Sequence, residues 1–178
     1  DANTAGTISG LANEAVTLSD TSLAAADLNT LNGLTSGVVN AASVNTLTGT
    51  AAAIATAYAA NTAGTISGLA NEAVTISDTH TLANLKAINN ATSGTITLNT
   101  YTEALSGSAS DVSAALAATL ASAYTGAVTL NDTTLAAATL NTVNGLTTGA
   151  VNAASVTTLT GALAAVDTAY DANTAGTI

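Results

Sequence analysis

Two textures alternate along the chain. The first is a short run of alternating apolar and polar residues entered from a small residue: Ala15–Leu18, Gly37–Asn40, Ala73–Ile76, Gly94–Leu98, Ala127–Leu130 and Gly149–Asn152. A period of two is that of a β-strand. It puts Val16, Val39, Val74, Ile96, Val128 and Val151 on one face, expected to be buried. Thr17, Asn40, Thr75, Thr97, Thr129 and Asn152 fall on the other. The second texture is helical. Leu47, Ala51, Ile54 and Tyr58 recur at helix spacing, as do Leu159, Leu163, Val166 and Tyr170, and Val112, Leu116, Leu120 and Tyr124. Shorter helices are expected over Leu23–Leu31, Leu82–Ile88 and Leu135–Val143, with Asp20, Asp78 and Asp132 as their N-caps. Asn-Gly at 32–33 and 144–145 would stop two of them with a left-handed glycine.

The pattern is repetitive. Asp1–Ile8 (DANTAGTI) returns as Asp171–Ile178, and Asn61–Val74 repeats Asn3–Val16 without a change. The chain divides into units of about 1–58, 59–112 and 113–170, with 171–178 starting the next. It is expected to be a single repeat array, an excerpt of a longer periodic protein that joins copies of itself end to end or laterally. One strand and one helix per coil cannot bury an apolar face alone, whereas stacked coils can. The expected fold is a right-handed α/β solenoid with a parallel sheet on one side and helices on the other. An all-β solenoid is the competitor, and alanine's helix preference argues against it.

The phrases GLANEAVTLSD (Gly10–Asp20), TLAAATLNTVNGLTTGAVNAA (Thr134–Ala154) and VTTLTG (Val156–Gly161) resemble repeat stretches of very large secreted or cell-surface proteins of cyanobacteria and other marine bacteria. The resemblance runs over nearly the whole chain. It implies an extracellular scaffold, adhesin or filament, and brings no catalytic residues with it.

Composition narrows the function. With one Lys (Lys86), no Arg and a net charge of −10, the chain lacks the cations that phosphates need, so nucleic acid and anionic membrane surfaces are not expected partners. No stretch reads as a membrane span, since Ser and Thr interrupt the most apolar window, Val112–Val128. Zero cysteines leave no disulfide framework and no thiolate chemistry.

Candidate chemistry is sparse. Asp20, Asp78 and Asp132 could collect calcium on successive coils, but no calcium-loop pattern surrounds them and helix capping is the favoured account of all three. No other cofactor is expected. His80 is the only histidine, and no serine stands in a nucleophile-elbow motif, so an enzyme is not expected. Tyr58, Tyr124 and Tyr170 read as helix-end packing, with Tyr101 near the start of another helix. The expected function is a non-enzymatic structural segment of an extracellular filament, surface layer or adhesin stalk. The alternative is a surface-binding solenoid that offers its Thr/Asn ladder to ice, glycan or mineral.

Overall fold

The computed structural model describes Gly6 and Ile8–Ile178. The opening copy of the DANTAGTI motif lies largely outside the described residues. From there pairs of short strands alternate with single helices as far as Thr174. The first elements are β1 (Val16–Thr17), β2 (Ser22–Ala24), α1 (Ala25–Leu34), β3 (Val39–Asn40), β4 (Thr46–Gly49) and α2 (Ala51–Ala63). Then come β5 (Ile66–Ser67), β6 (Ala73–Ile76), α3 (Leu82–Ala91), β7 (Ile96–Thr97), β8 (Leu105–Gly107) and α4 (Ala109–Leu116). The last are β9 (Val128–Leu130), β10 (Thr134–Ala136), α5 (Ala137–Leu146), β11 (Val151–Asn152), β12 (Thr158–Thr160) and α6 (Leu163–Thr174). This is an α/β architecture in which each helix packs against the next in sequence.

Every ladder between named strands is parallel and joins segments roughly one strand–helix unit apart. The orders are β1-β3-β5, β2-β4-β6-β7, β8-β9-β11 and β10-β12. Ile96 of β7 bridges on to Leu120, and the Val151 N–H donates to the Thr177 carbonyl at 2.9 Å, so both middle sheets continue beyond their last named strand.

The expected single sheet is therefore corrected to four staggered ones. Val16, Val74 and Val128 carry the same local text, yet each lies in a different sheet. Val16 pairs with Val39, Val74 with Leu47 and Ile96, and Val128 with Leu105 and Val151. The face assignment itself holds. Val39, Val74, Ile96, Val128 and Val151 are buried and Val16 is half-buried, while the six polar partners are exposed.

Three helix expectations are also revised. Leu47 and Leu159 belong to β4 and β12, so only the later members of their stripes are helical. α4 stops at Leu116, because the chain beyond it is recruited by β7: Ile96 donates to the Thr119 carbonyl and Ala121 donates to the Ile96 carbonyl. Nor does Asn-Gly stop α1 or α5. Both helices run through it to Leu34 and Leu146, and neither Gly33 nor Gly145 has a positive φ. They end one residue later on extended Thr35 and Thr147, whose hydroxyls are held by a neighbouring segment. The left-handed stop is found instead on α2, at Gly64 (φ 82°).

Candidate functional site

The three aspartates do not occupy one kind of place. Asp78 Oδ1 accepts the Ala51 N–H at 2.8 Å, and Asp132 Oδ2 accepts the Ala109 N–H at 2.7 Å. Those amides open α2 and α4, the helices that precede these aspartates in sequence. The expectation that each caps its own downstream helix is corrected. Thr81 caps α3, while α1 and α5 have no side-chain cap. A free helix N–H is satisfied equally well by a carboxylate from an adjacent segment, and the positive end of the helix dipole favours the charge. Asp20 is exposed and makes no side-chain hydrogen bond to a described residue. Among the described residues, no three His, Asp or Glu side chains converge as a metal ion would need.

A prediction separates cap from ligand. Asp78→Ala or Asp132→Ala should each cost about 1 kcal/mol, and the Asn variants much less, because Asn also accepts the amide hydrogen. Thermal melts with and without chelator measure this. A chelator-induced fall of many degrees in the parent, absent from the double Asn variant, would establish calcium instead.

His80 is drawn inward from the loop before α3. Its N–H donates to Glu103 Oε2 at 2.8 Å, and its ring meets Tyr124 edge-on with centroids 5.9 Å apart. Tyr124 spends its hydroxyl hydrogen on the Glu103 carbonyl at 2.7 Å. Its oxygen also lies 3.2 Å from His80 Nε2, a contact in which either atom can donate according to the ring's tautomer. Nδ1 lies 3.1 Å from Glu103 Oε2, outside hydrogen-bond geometry. The ring nitrogens thus face Tyr124 and Glu103, not a serine. This is a buried polar knot tying three successive strand–helix units together, with no nucleophile to activate.

Burial holds the His80 pKa below its ordinary 6.5, against the opposing pull of Glu103 and Asp78. Burial likewise pushes the Tyr124 phenol up to about 12. The folded state therefore takes up the His80 proton less readily than the unfolded chain. Stability from this site is complete above the ordinary value and declines as pH falls from about 6.5 toward the depressed folded value. The expected result is a Tm that drops between pH 7.5 and 5.5, with a flatter profile in His80→Gln. Identical profiles for parent and variant would refute it.

A fully buried acid sits earlier in the chain. Glu72 is fully buried, accepting the Ala70 N–H at 2.8 Å and the Tyr58 hydroxyl at 3.1 Å. Burial, with the Glu72 carboxylate beside it, raises the Tyr58 pKa well above the usual phenol range. Neither tyrosine stands at a helix end: Tyr58 lies within α2 and Tyr124 in the loop beyond α4, and both act as hydrogen-bonding anchors. Tyr101 differs, its hydroxyl accepting the Leu98 N–H at 3.1 Å outside any helix. Lys86 pairs with Asp111 on α4, and with the Ser108 hydroxyl it holds that carboxyl below the usual range. Both side chains are about two-fifths exposed, so the pair contributes little at physiological salt.

Sequence reasoning missed the most regular feature. Thr35-Ser36-Gly37, Thr92-Ser93-Gly94 and Thr147-Thr148-Gly149 each form the same clamp. The Thr hydroxyl accepts the Gly N–H at 2.9, 3.0 and 2.9 Å. It donates to the carbonyls of Glu14, Glu72 and Gly126 at 2.7, 2.8 and 2.8 Å. A second tie was also missed: Asn29, Asn89 and Asn141 donate across helix pairs to the carbonyls of Ala53, Ala114 and Ala165. The signal for the clamp, Thr-Ser-Gly or Thr-Thr-Gly ahead of a strand, stands in the sequence three times, at 35–37, 92–94 and 147–149.

Of the exposed ladder residues, Asn40 and Asn152 spend their side-chain oxygens on the Ala42 and Ala154 amides, closing local turns. The stagger of the sheets divides the rest into separate short rows. No helix among the described residues is long and apolar enough to cross a membrane. No protein-family model, curated protein or solved structure matches the chain.

Proposed function

We propose that the chain is a non-enzymatic structural array, an α/β solenoid that serves as a stiff segment of an extracellular filament, surface layer or adhesin stalk. One observation carries the reading. The specific polar ties between strand–helix coils, namely the aspartate caps, the Thr-x-Gly clamps and the Asn ties, all span 20–27 residues and join one coil to its immediate neighbour. Such a molecule has quasi-one-dimensional stability, the sum of unit and interface contributions. Its polar groups are spent on holding neighbours, which leaves no reactive constellation among the described residues. Extracellular placement rests on the resemblance and on the acidic, cysteine-free composition.

The test is a fused chain, residues 1–178 followed directly by 9–178. A structural rod should give a particle of nearly doubled length in small-angle scattering and a raised melting temperature. Two independent compact bodies melting at the parental temperature would sink the reading. A ladder-binding role for Thr75, Thr97 and Thr129 is the weaker reading, because the rows they stand in are short and stepped.

A further inference from the structure

The end sheets of the stack are complementary. Inside the molecule, β2-β4-β6-β7 with Leu120 brings five chain segments side by side. At one end stands a sheet of three, β1-β3-β5, and at the other a sheet of two, β10-β12. Among the described residues, the outer edges of β1 and β12 have no strand partner. The same local text meets inside the molecule: Thr46–Gly49 (TLTG) of β4 receives Ala73–Ile76 (AVTI) of β6 in register Leu47↔Val74 and Gly49↔Ile76. The edge strand β12 lies in that TLTG text again, at Thr158–Gly161, and β1 lies within the matching AVTL, at Ala15–Leu18.

We propose that copies of this chain dock head to tail, β12 of one copy receiving β1 of the next in the register in which β4 receives β6. Three further features of the β4–β6 joint have unmatched halves at the two ends. Ala51 N–H is capped by Asp78, and its equivalent at the start of α6, Leu163, has no side-chain cap, while Asp20, the equivalent of Asp78, has nothing to cap. Tyr58 is 3% exposed and bonded to Glu72, whereas its equivalent Tyr170 is 63% exposed. Glu14, the equivalent of Glu72, accepts the Ala12 N–H as Glu72 accepts Ala70, so its carboxylate is already shaped for the Tyr170 hydroxyl of a preceding copy. Finally, an open apolar groove lined by Leu140, Val156, Leu159 and Ala169 marks the α6 end. The residues equivalent to these, Leu28, Val44, Leu47 and Ala57, are all buried in a core that includes Leu69 and Val74. In the docked pair, Leu11 and Val16 of the incoming copy take the places of Leu69 and Val74.

The joint has one further consequence. Ile178, beside β11, stands where Ile66 stands beside β3, and that is the place the incoming Ile8 would claim. Only one of the two can fill it, so Ile8 of the incoming copy stays out of that place.

This inference rests on the structural reading above and fails separately from it. The experiment is sedimentation of the parent chain over a concentration series, with two variants. Thr17→Pro removes an N–H on the outer edge of β1, since Val16 and Leu18 make the bonds to β3. Tyr170→Glu alters an exposed side chain and would set a second carboxylate against Glu14. The parent should self-associate without closing into one defined oligomer, and each variant should weaken this by roughly tenfold or more. Because each variant keeps one sound end, their mixture should form a one-to-one dimer. Circular dichroism melts confirm that both variants are folded, and Asp20→Ala gives a third, milder weakening should either fail to fold. A parent that stays monomeric at its highest soluble concentration overturns the docking, as does association that no variant weakens. If the fused chain is nevertheless a longer, more stable rod, the structural reading survives and only the docking falls.

Discussion

Val74→Asp is expected to unfold the chain or to lower its stability by several kcal/mol, while Thr75→Asp, one residue along the same strand, changes it little. Val74 is fully buried on β6, between Leu47 on β4 and Ile96 on β7. Removing its side chain from the core forfeits about 1.5 kcal/mol or more of transfer free energy. An unpaired carboxylate left there costs on the order of 3 kcal/mol or more unless it protonates. Together these approach the whole stability of an ordinary domain, about 5–15 kcal/mol. Thr75 is exposed, so its carboxylate stays in water and should cost within about 0.5 kcal/mol. Urea melts of the two variants check this. Equal midpoints would mean that the strand faces are misassigned.

That contrast follows from the part of the fold most legible in the sequence. Alternation fixes which side chains of a strand share a face, because the pleat has a period of two, and Val39, Val74, Ile96 and Val151 point inward as the pattern requires. Which strands lie side by side is a different matter. Val16, Val74 and Val128 share the text Ala-Val-Thr but meet different partners. The element order does not distinguish them, since two named strands precede every helix. Pairing is set by which segments of neighbouring coils come side by side in space, and nothing in a local window records that.

The polar ties were illegible for a related reason. Asp78 looks like the cap of α3 because it stands just before it, yet Thr81 takes that place and Asp78 reaches back to α2. His80, Glu103 and Tyr124 are separated by 23 and 21 residues, about one strand–helix unit each, and no motif joins them. Only the Thr-x-Gly clamp was written locally, and its glycine registers in the sequence only as the small residue that opens a strand.

Gly94→Ala tests that clamp, and the expected result is a loss near the upper end of what overpacking costs, about 2–3 kcal/mol. The glycine is not there for a left-handed φ, since none is found at this residue. It is there because the neighbouring backbone comes so close. A Cβ on Gly94 would stand 2.1 Å from the Glu72 carbonyl oxygen and 2.5 Å from its carbon. The obstacle is main chain, held in place by the Thr92 hydroxyl on that same oxygen at 2.8 Å and by the Ser93 N–H on the Ala70 carbonyl at 3.0 Å. To admit a methyl group the strand must move away, and the clamp, the buried Glu72 beside it and the β6–β7 ladder move with it. Gly37 and Gly149 meet the carbonyls of Glu14 and Gly126 in the same way, at 2.3 and 2.5 Å. Gly33, inside α1, supplies the opposite case. Nothing lies within 4 Å of a Cβ built there, and its φ is not positive. Gly33→Ala should therefore stabilise the chain by about 0.4–1 kcal/mol through the lost freedom of the unfolded state. Thermal and urea melts of the two variants should move in opposite directions from the parent. A neutral Gly94→Ala would mean that the close backbone approach is not maintained in solution, and the clamp could not then be what joins one unit to the next.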